Sequence, residues 1–161
     1  MLKTIFVAVM AIALAACGKS SMVVLQPVSH PVSTNVVQLV YENSTVGVPD
    51  DAVARTKQYM DEEFFTGDDA IFRNAEGGVT IRYGYIGFEE GSRVGRYFLG
   101  ALGNDDAKMV LRAQFFDAQG NKIGEIQSEG TIGGGFFGGS SNSAIRRAVR
   151  EVASYARAAL R

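Results

Sequence analysis

The sequence predicts an α+β fold: a single β-α-β-β-β-α sandwich, with a four-stranded, mostly antiparallel sheet carrying two helices on one face. Three observations lead there. Val79, Ile81, Tyr83 and Tyr85 alternate with other residues and form one strand face, and Met109, Leu111, Ala113 and Phe115 do the same further on. Near the end the period changes from two to 3.6, so that Ile145, Val149, Val152, Ala156 and Leu160 fall on one side of a helix. The chain has 161 residues, which is one domain's worth.

The elements follow in order. Val36 to Tyr41 is β-branched and aromatic and reads as the first strand, ended by Asn43-Ser44. Pro49-Asp50-Asp51 opens a helix, since proline tolerates the entry turn and aspartate caps amides and opposes the positive helix end. Val53, Met60 and Phe64 give that helix its stripe, to about Phe65. Asp61, Glu62 and Glu63 stand at the wrong end of the dipole, so fraying and a solvated acidic face are expected there. Thr66 to Gly78 is polar and reads as a loop. Val79 to Phe88 is a strand, Gly91 to Asp106 a glycine-punctuated connection, and Lys108 to Asp117 the next strand. Asp117 to Asn121 has hairpin-turn chemistry, and Ile123 to Ile132 returns antiparallel. A glycine run holding Phe136-Phe137 leads to a last helix over Asn142 to Leu160.

The N-terminal region has its own pattern. Lys3 supplies a positive start, Ile5 to Ala16 is apolar throughout, and small residues precede Cys17, the only cysteine. The apolar run has the length of a signal-peptide core and is too short to span a bilayer. Leu14-Ala15-Ala16-Cys17 resembles the lipobox of bacterial lipoproteins. The resemblance implies cleavage before Cys17, lipid on its thiol and an acyl chain on its new amino group. Several chains make a durable anchor where one binds marginally. Residues 1–16 are then a lipoprotein signal peptide, 17–34 a tether rich in polar residues and proline, and 35–161 a periplasmic domain. Met22 to Leu25 is the one part of that tether able to form a short edge strand. Gly18 stands where aspartate would retain such a lipoprotein at the inner membrane. The resemblance therefore implies the periplasmic face of the outer membrane of a Gram-negative bacterium. The alternative is an ordinary signal peptide cut near Ala16, which leaves Cys17 a free thiol.

Composition excludes several functions. Seventeen acids against sixteen bases give a net charge of −1, so there is no basic field for nucleic acid. The single cysteine leaves no intramolecular disulfide and no thiolate zinc site. The single histidine, His30, lies in the tether, which removes histidine metal clusters and a base for a serine nucleophile. No cofactor and no metal are expected. Asp68-Asp69 and Asp105-Asp106 lie in polar loops, where the burial and facing geometry that glycosidase carboxylates need are not expected. Gly133, Gly135 and Gly138 have a dinucleotide-binding spacing, but no parallel strand follows the last helix, so the βαβ unit is incomplete. A non-enzymatic protein is expected.

Three features remain as binding candidates. Phe136 and Phe137 are either core plugs among turn-forming glycines or aromatics presented to a partner. Arg93 and Arg96 either pair with Glu89 and Glu90 or face a partner or lipid headgroup. Arg146, Arg150, Arg157 and Arg161 fall within about 60° of one another on the last helix. That stripe is either a solvated face or a contact for anionic lipid or glycan.

Gly91-Ser92-Arg93, Arg96-Tyr97, Gly100, Phe116-Asp117, Gly120 and Gly133-Gly134-Gly135-Phe136-Phe137-Gly138-Gly139 occur in order ahead of an alanine-rich helix. With these motifs the chain resembles, over residues 36–158, a family of bacterial lipoproteins built on a domain of unknown function. At fold level that order is similar to small periplasmic domains of outer-membrane assemblies, such as the curli-secretion lipoprotein and the lipoprotein activators of penicillin-binding proteins. The resemblance carries no activity. The expectation is a module, held to the membrane through Cys17, that binds or scaffolds another envelope protein. A small-ligand or glycan-binding module is the alternative.

Overall fold

The computed structural model describes residues 20–29, 32–88, 107–132 and 141–160. It is an α+β protein with two helices and one six-stranded mixed sheet. The strands are β1 (Ser20–Gln26), β2 (Val36–Tyr41), β3 (Arg73–Asn74), β4 (Val79–Phe88), β5 (Ala107–Phe116) and β6 (Lys122–Ile132). Helix α1 (Asp50–Asp61) follows β2 and runs into a π-helical turn over Glu62–Thr66, and α2 (Ser141–Ala159) follows β6. The sheet order is β1-β6-β5-β4-β2-β3.

The expected four strands are all present, and two more extend the sheet at its edges. The stretch expected as a tether contributes β1, which pairs antiparallel with β6, Ser20 opposite Gly130 and Val23 opposite Gln127. Beyond it, Ser29 N donates to Ile123 O at 3.2 Å, Val28 N to Tyr155 Oη at 3.1 Å and Thr34 N to Leu160 O at 3.0 Å. Part of that stretch is therefore pinned to the domain. Within the expected 66–78 loop, Arg73 and Asn74 pair with Val36 and Val37 as β3. The sheet is mixed because β2 runs parallel to β4. Parallel neighbours need a crossover, and α1 provides it.

Tyr85, Leu111 and Ser128 form one cross-strand row, so their side chains share a face. Thr56 of α1 bonds to Tyr85, and Glu151 of α2 bonds to Ser128, which places both helices on that face. The core lies between. Ile81, Tyr83, Leu111, Ala113, Phe115, Ile145, Val149 and Val152, the residues that alternation and helical period put inside, are all buried. Alanines 144, 148, 153 and 156 bring α2 close to the sheet. Gly130 marks the tightest approach: a Cβ there would stand 2.8 Å from the Ala144 carbonyl oxygen.

Helix α1 departs from expectation at both ends. No aspartate side chain caps it; Asp51 instead pairs with Arg55 at 3.0 Å, one turn on. Of its expected stripe, Met60 and Phe64 are buried and Val53 is half-buried, with Ala52 and Thr56 completing the inward face. Its C-terminal end is held by packing and ion pairs. Gly67 N donates to Glu62 O at 2.7 Å, five residues back, and this wider turn buries Phe64 against Phe72, ring centroids 5.5 Å apart. In the β5–β6 hairpin, Asp117 accepts from Gln119 N, Asn121 N and Asn121 Nδ2 at 2.8–3.0 Å, and Gly120 takes φ +82°.

The antiparallel register gathers four strand ends at one end of the sheet. Ser20 stands opposite Gly130, Phe88 opposite Met109, and Ala107 opposite Ile132. Ser20, Phe88, Ala107 and Ile132, which adjoin residues 19, 89–106 and 133, therefore all stand at that end.

Candidate functional site

Cys17, Arg93, Arg96, Phe136 and Phe137 lie outside the described residues, as do His30 and Arg161, the last of the arginine stripe. Their flanking residues are nonetheless placed. Ser20 begins β1 three positions after Cys17, Phe88 and Ala107 bracket the segment with Arg93 and Arg96, and Ile132 precedes the segment with Phe136 and Phe137. All of these flanks belong to the sheet end just described.

Arg146 and Arg150 lie one turn apart in the first half of α2, facing α1. Arg146 Nη2 is 3.4 Å from Glu62 Oε2, and its guanidinium carbon lies 4.2 Å from the centroid of the Tyr59 ring. Arg150 Nε donates to Glu63 Oε1 at 2.9 Å. Arg157 adds Nη1 to the Glu63 carbonyl oxygen at 3.2 Å and Nη2 to Glu63 Oε2 at 4.0 Å. Two of the three acids expected as a solvated face, Glu62 and Glu63, are thus the partners of Arg146, Arg150 and Arg157. Glu63 is the hub, its side chain 14% exposed.

Between the π-turn and α2 lies an open cleft of about 320 Å³, lined by Glu62, Glu63, Asp68, Asp69, Arg146 and Arg150 among others. Four carboxylates against two guanidinium groups make it net acidic. Both arginines already hold carboxylates, so the cleft disfavours an anionic lipid or glycan.

The buried polar groups are structural in their chemistry. Thr56 Oγ1 donates to Ala52 O at 2.7 Å, and so accepts from the Tyr85 hydroxyl at 2.5 Å. Burial pushes the Tyr85 phenol well up, with the Thr56 bond acting against it; burial, then the nearby Asp61 charge, pushes Tyr83 up. Both stay neutral at physiological pH. The exposed Asp117 carboxyl is held below its usual range by the Asn121 side chain and the turn amides. Glu125 is raised by partial burial, but bonds from Lys122 and Gln114 outweigh this and leave it lowered.

Two features escaped the sequence reading. One is the Glu63 hub, whose signal was consecutive acids ending one helix and arginines spaced by four and seven on another. The other is the full extent of β1: the sequence offered a short edge strand over Met22 to Leu25, and the strand runs from Ser20 to Gln26, with Met22, Val23, Val24 and Leu25 39%, 47%, 42% and 52% exposed. Its signal was an apolar run without alternation.

No family model and no curated protein matches the chain. Among solved structures its fold is similar to the PelC dodecamer from Paraburkholderia phytofirmans, with 11% identity and a TM-score of 0.56 over 85% of this chain and 96% of that one. A second crystal form of that dodecamer, of a single-residue variant, has 11% identity and a TM-score of 0.50 over the same shares. At this identity the likeness is one of fold.

Proposed function

We propose that this chain is a non-enzymatic envelope lipoprotein, anchored through Cys17 at the periplasmic face of the outer membrane, whose α+β domain binds or scaffolds another envelope component. The observation that supports this most is the common sheet end. The anchor segment and the two segments carrying Arg93, Arg96, Phe136 and Phe137 flank strand ends that stand together. A partner held there would meet the domain beside its anchor. Arg146 and Arg150 rank behind these in the binding set, because Glu62 and Glu63 of the π-helical turn already pair with them. The resemblance to a lipoprotein family built on a domain of unknown function is consistent with this reading and adds no activity to it. PelC is a dodecamer, which makes self-assembly the first form of scaffolding to consider.

The test is capture from detergent-solubilised envelope using the anchored full chain and whichever of the single variants Phe136→Ser and Phe137→Ser keeps the wild type's thermal stability. A partner retained by the wild type and lost from the variant supports the reading. Identical captured sets from wild type and variant remove that phenylalanine from binding.

A further inference from the structure

β1 is an edge strand of an unusual kind. Among the described residues it pairs on one side only, with β6, so the outward N–H and C=O groups of its other edge have no strand beside them. Its seven residues, Ser20 to Gln26, contain no charge and no proline. Met22 and Val24 lie in the rows of Ser128 and Ile126, on the helix side, while Val23 lies in the row of Gln127, on the open side. Apolar side chains are therefore exposed on both faces. Soluble proteins blunt such edges with charge, proline, brevity or bulges. The opposite edge obeys that rule: β3 is two residues long, exposed, and carries Arg73. The one bulge in β1 falls between Val24 and Gln26, which leaves Ser20 to Val24 regular.

We propose that β1 is a self-association seam, along which a second copy of this chain adds its own β1 antiparallel, making one continuous sheet across a two-fold axis. A bilayer surface covers one side of a strand and offers no ordered partner to its backbone. A strand supplies backbone bonds and covers side chains on both faces. The occupant is a second copy because the strand suits itself. In every antiparallel register all cross-strand pairs are uncharged, so no like-charge cost arises. A two-fold axis normal to the sheet also keeps the helices of both copies on one face.

This rests on anchoring at Cys17 for its setting. Three residues reach at most about 10 Å, so anchored copies hold their β1 strands in one layer at the membrane, where effective concentration is high. Antiparallel strands put their anchors at opposite ends of the seam, so β1 lies along the membrane plane.

The experiment places cysteines, one at a time, in the full chain in its native envelope: Met22→Cys, Val23→Cys, Val24→Cys, and Ala118→Cys in the exposed hairpin turn as control. The same set is made with Cys17→Ser. After mild oxidation, at least one β1 position should give ten-fold or more disulfide-linked dimer than the control. Adding a Val24→Lys charge to Val23→Cys should return it to the control's level. Dimer no greater than the control at all three positions overturns the seam. A soluble maleimide then tells what covers the strand: protection in membranes that detergent removes means lipid, and reactivity throughout means nothing. Either result also counts against a second copy. Detergent-phase partitioning reads the anchor separately. Among chains that keep Cys17, anchored protein without dimer refutes the seam alone, and dimer in protein that partitions as unanchored refutes the anchor alone.

Discussion

Leu111→Ala tests the packing that positions everything else. Leu111 is fully buried on β5, between Tyr85 on β4 and Ser128 on β6. Those two neighbours are tied to the helices above, Tyr85 to Thr56 at 2.5 Å and Ser128 to Glu151 at 2.7 Å. Strand ladders fix the backbone on both sides, so the site cannot close over a hole. The three carbons removed are worth about 2.4 kcal/mol at about 0.8 kcal/mol each. The unrelaxed cavity adds to this, giving an expected loss of about 3–5 kcal/mol, the upper part of the range for leucine truncation. Urea unfolding of the purified protein reads it as a fall in midpoint at constant slope. Val23→Ala, at a half-exposed position, should cost less than about 0.5 kcal/mol. A Leu111→Ala loss below about 0.5 kcal/mol would refute the strand register and the single core built on it.

Other expectations follow from the same geometry. Glu63→Gln with Arg150→Gln in a double-mutant cycle should show a coupling of about 0.5–1 kcal/mol that shrinks in 1 M salt, since Arg150 is 60% exposed and the pair is only partly shielded. Zero coupling at low salt would make the contact incidental. Asp117 has a folded acidity below its unfolded value of about 3.9. Its contribution is therefore full above that pH and lost as pH falls through the lower folded value. Asp117→Ala should lower the unfolding midpoint at pH 7 and make no difference at pH 2, and an Asp117 titration by NMR at or above the unfolded value contradicts this. Single changes Phe136→Ser and Phe137→Ser should be unequal, one destabilising and the other silent in stability but weakening partner capture. Equal, large losses of stability from both would leave the glycine run a structural role.

The sequence made most of the sheet legible because the central strands are paired on both sides and covered on one face. That environment produces alternation, which bounded β4 to the residue, while β-branched and aromatic composition did the same for β2. β1 did not alternate because its apolar side chains are exposed on both faces, and Pro27 beside it suggested a tether. β3 is too short to carry a period. The π-turn depends on burying Phe64 against Phe72, a contact between segments that a window of sequence does not contain. The acids at 61–63 looked misplaced against the helix dipole, and only the packing of α2 beside α1 supplies the arginines that explain Glu62 and Glu63. Of the candidate site, Arg146 and Arg150 were found as a stripe, but their partners belong to tertiary structure.

The central claim is that the domain hangs by Cys17 from a membrane at the sheet end where β1 begins. Intact-mass and peptide mass spectrometry of the protein from its native envelope test it most directly. The account predicts a mature chain that begins at Cys17, carries lipid on the thiol and an acyl chain on the amino group, and fractionates with the outer membrane. A chain that begins elsewhere, or one in which Cys17 has an unmodified thiol, contradicts it.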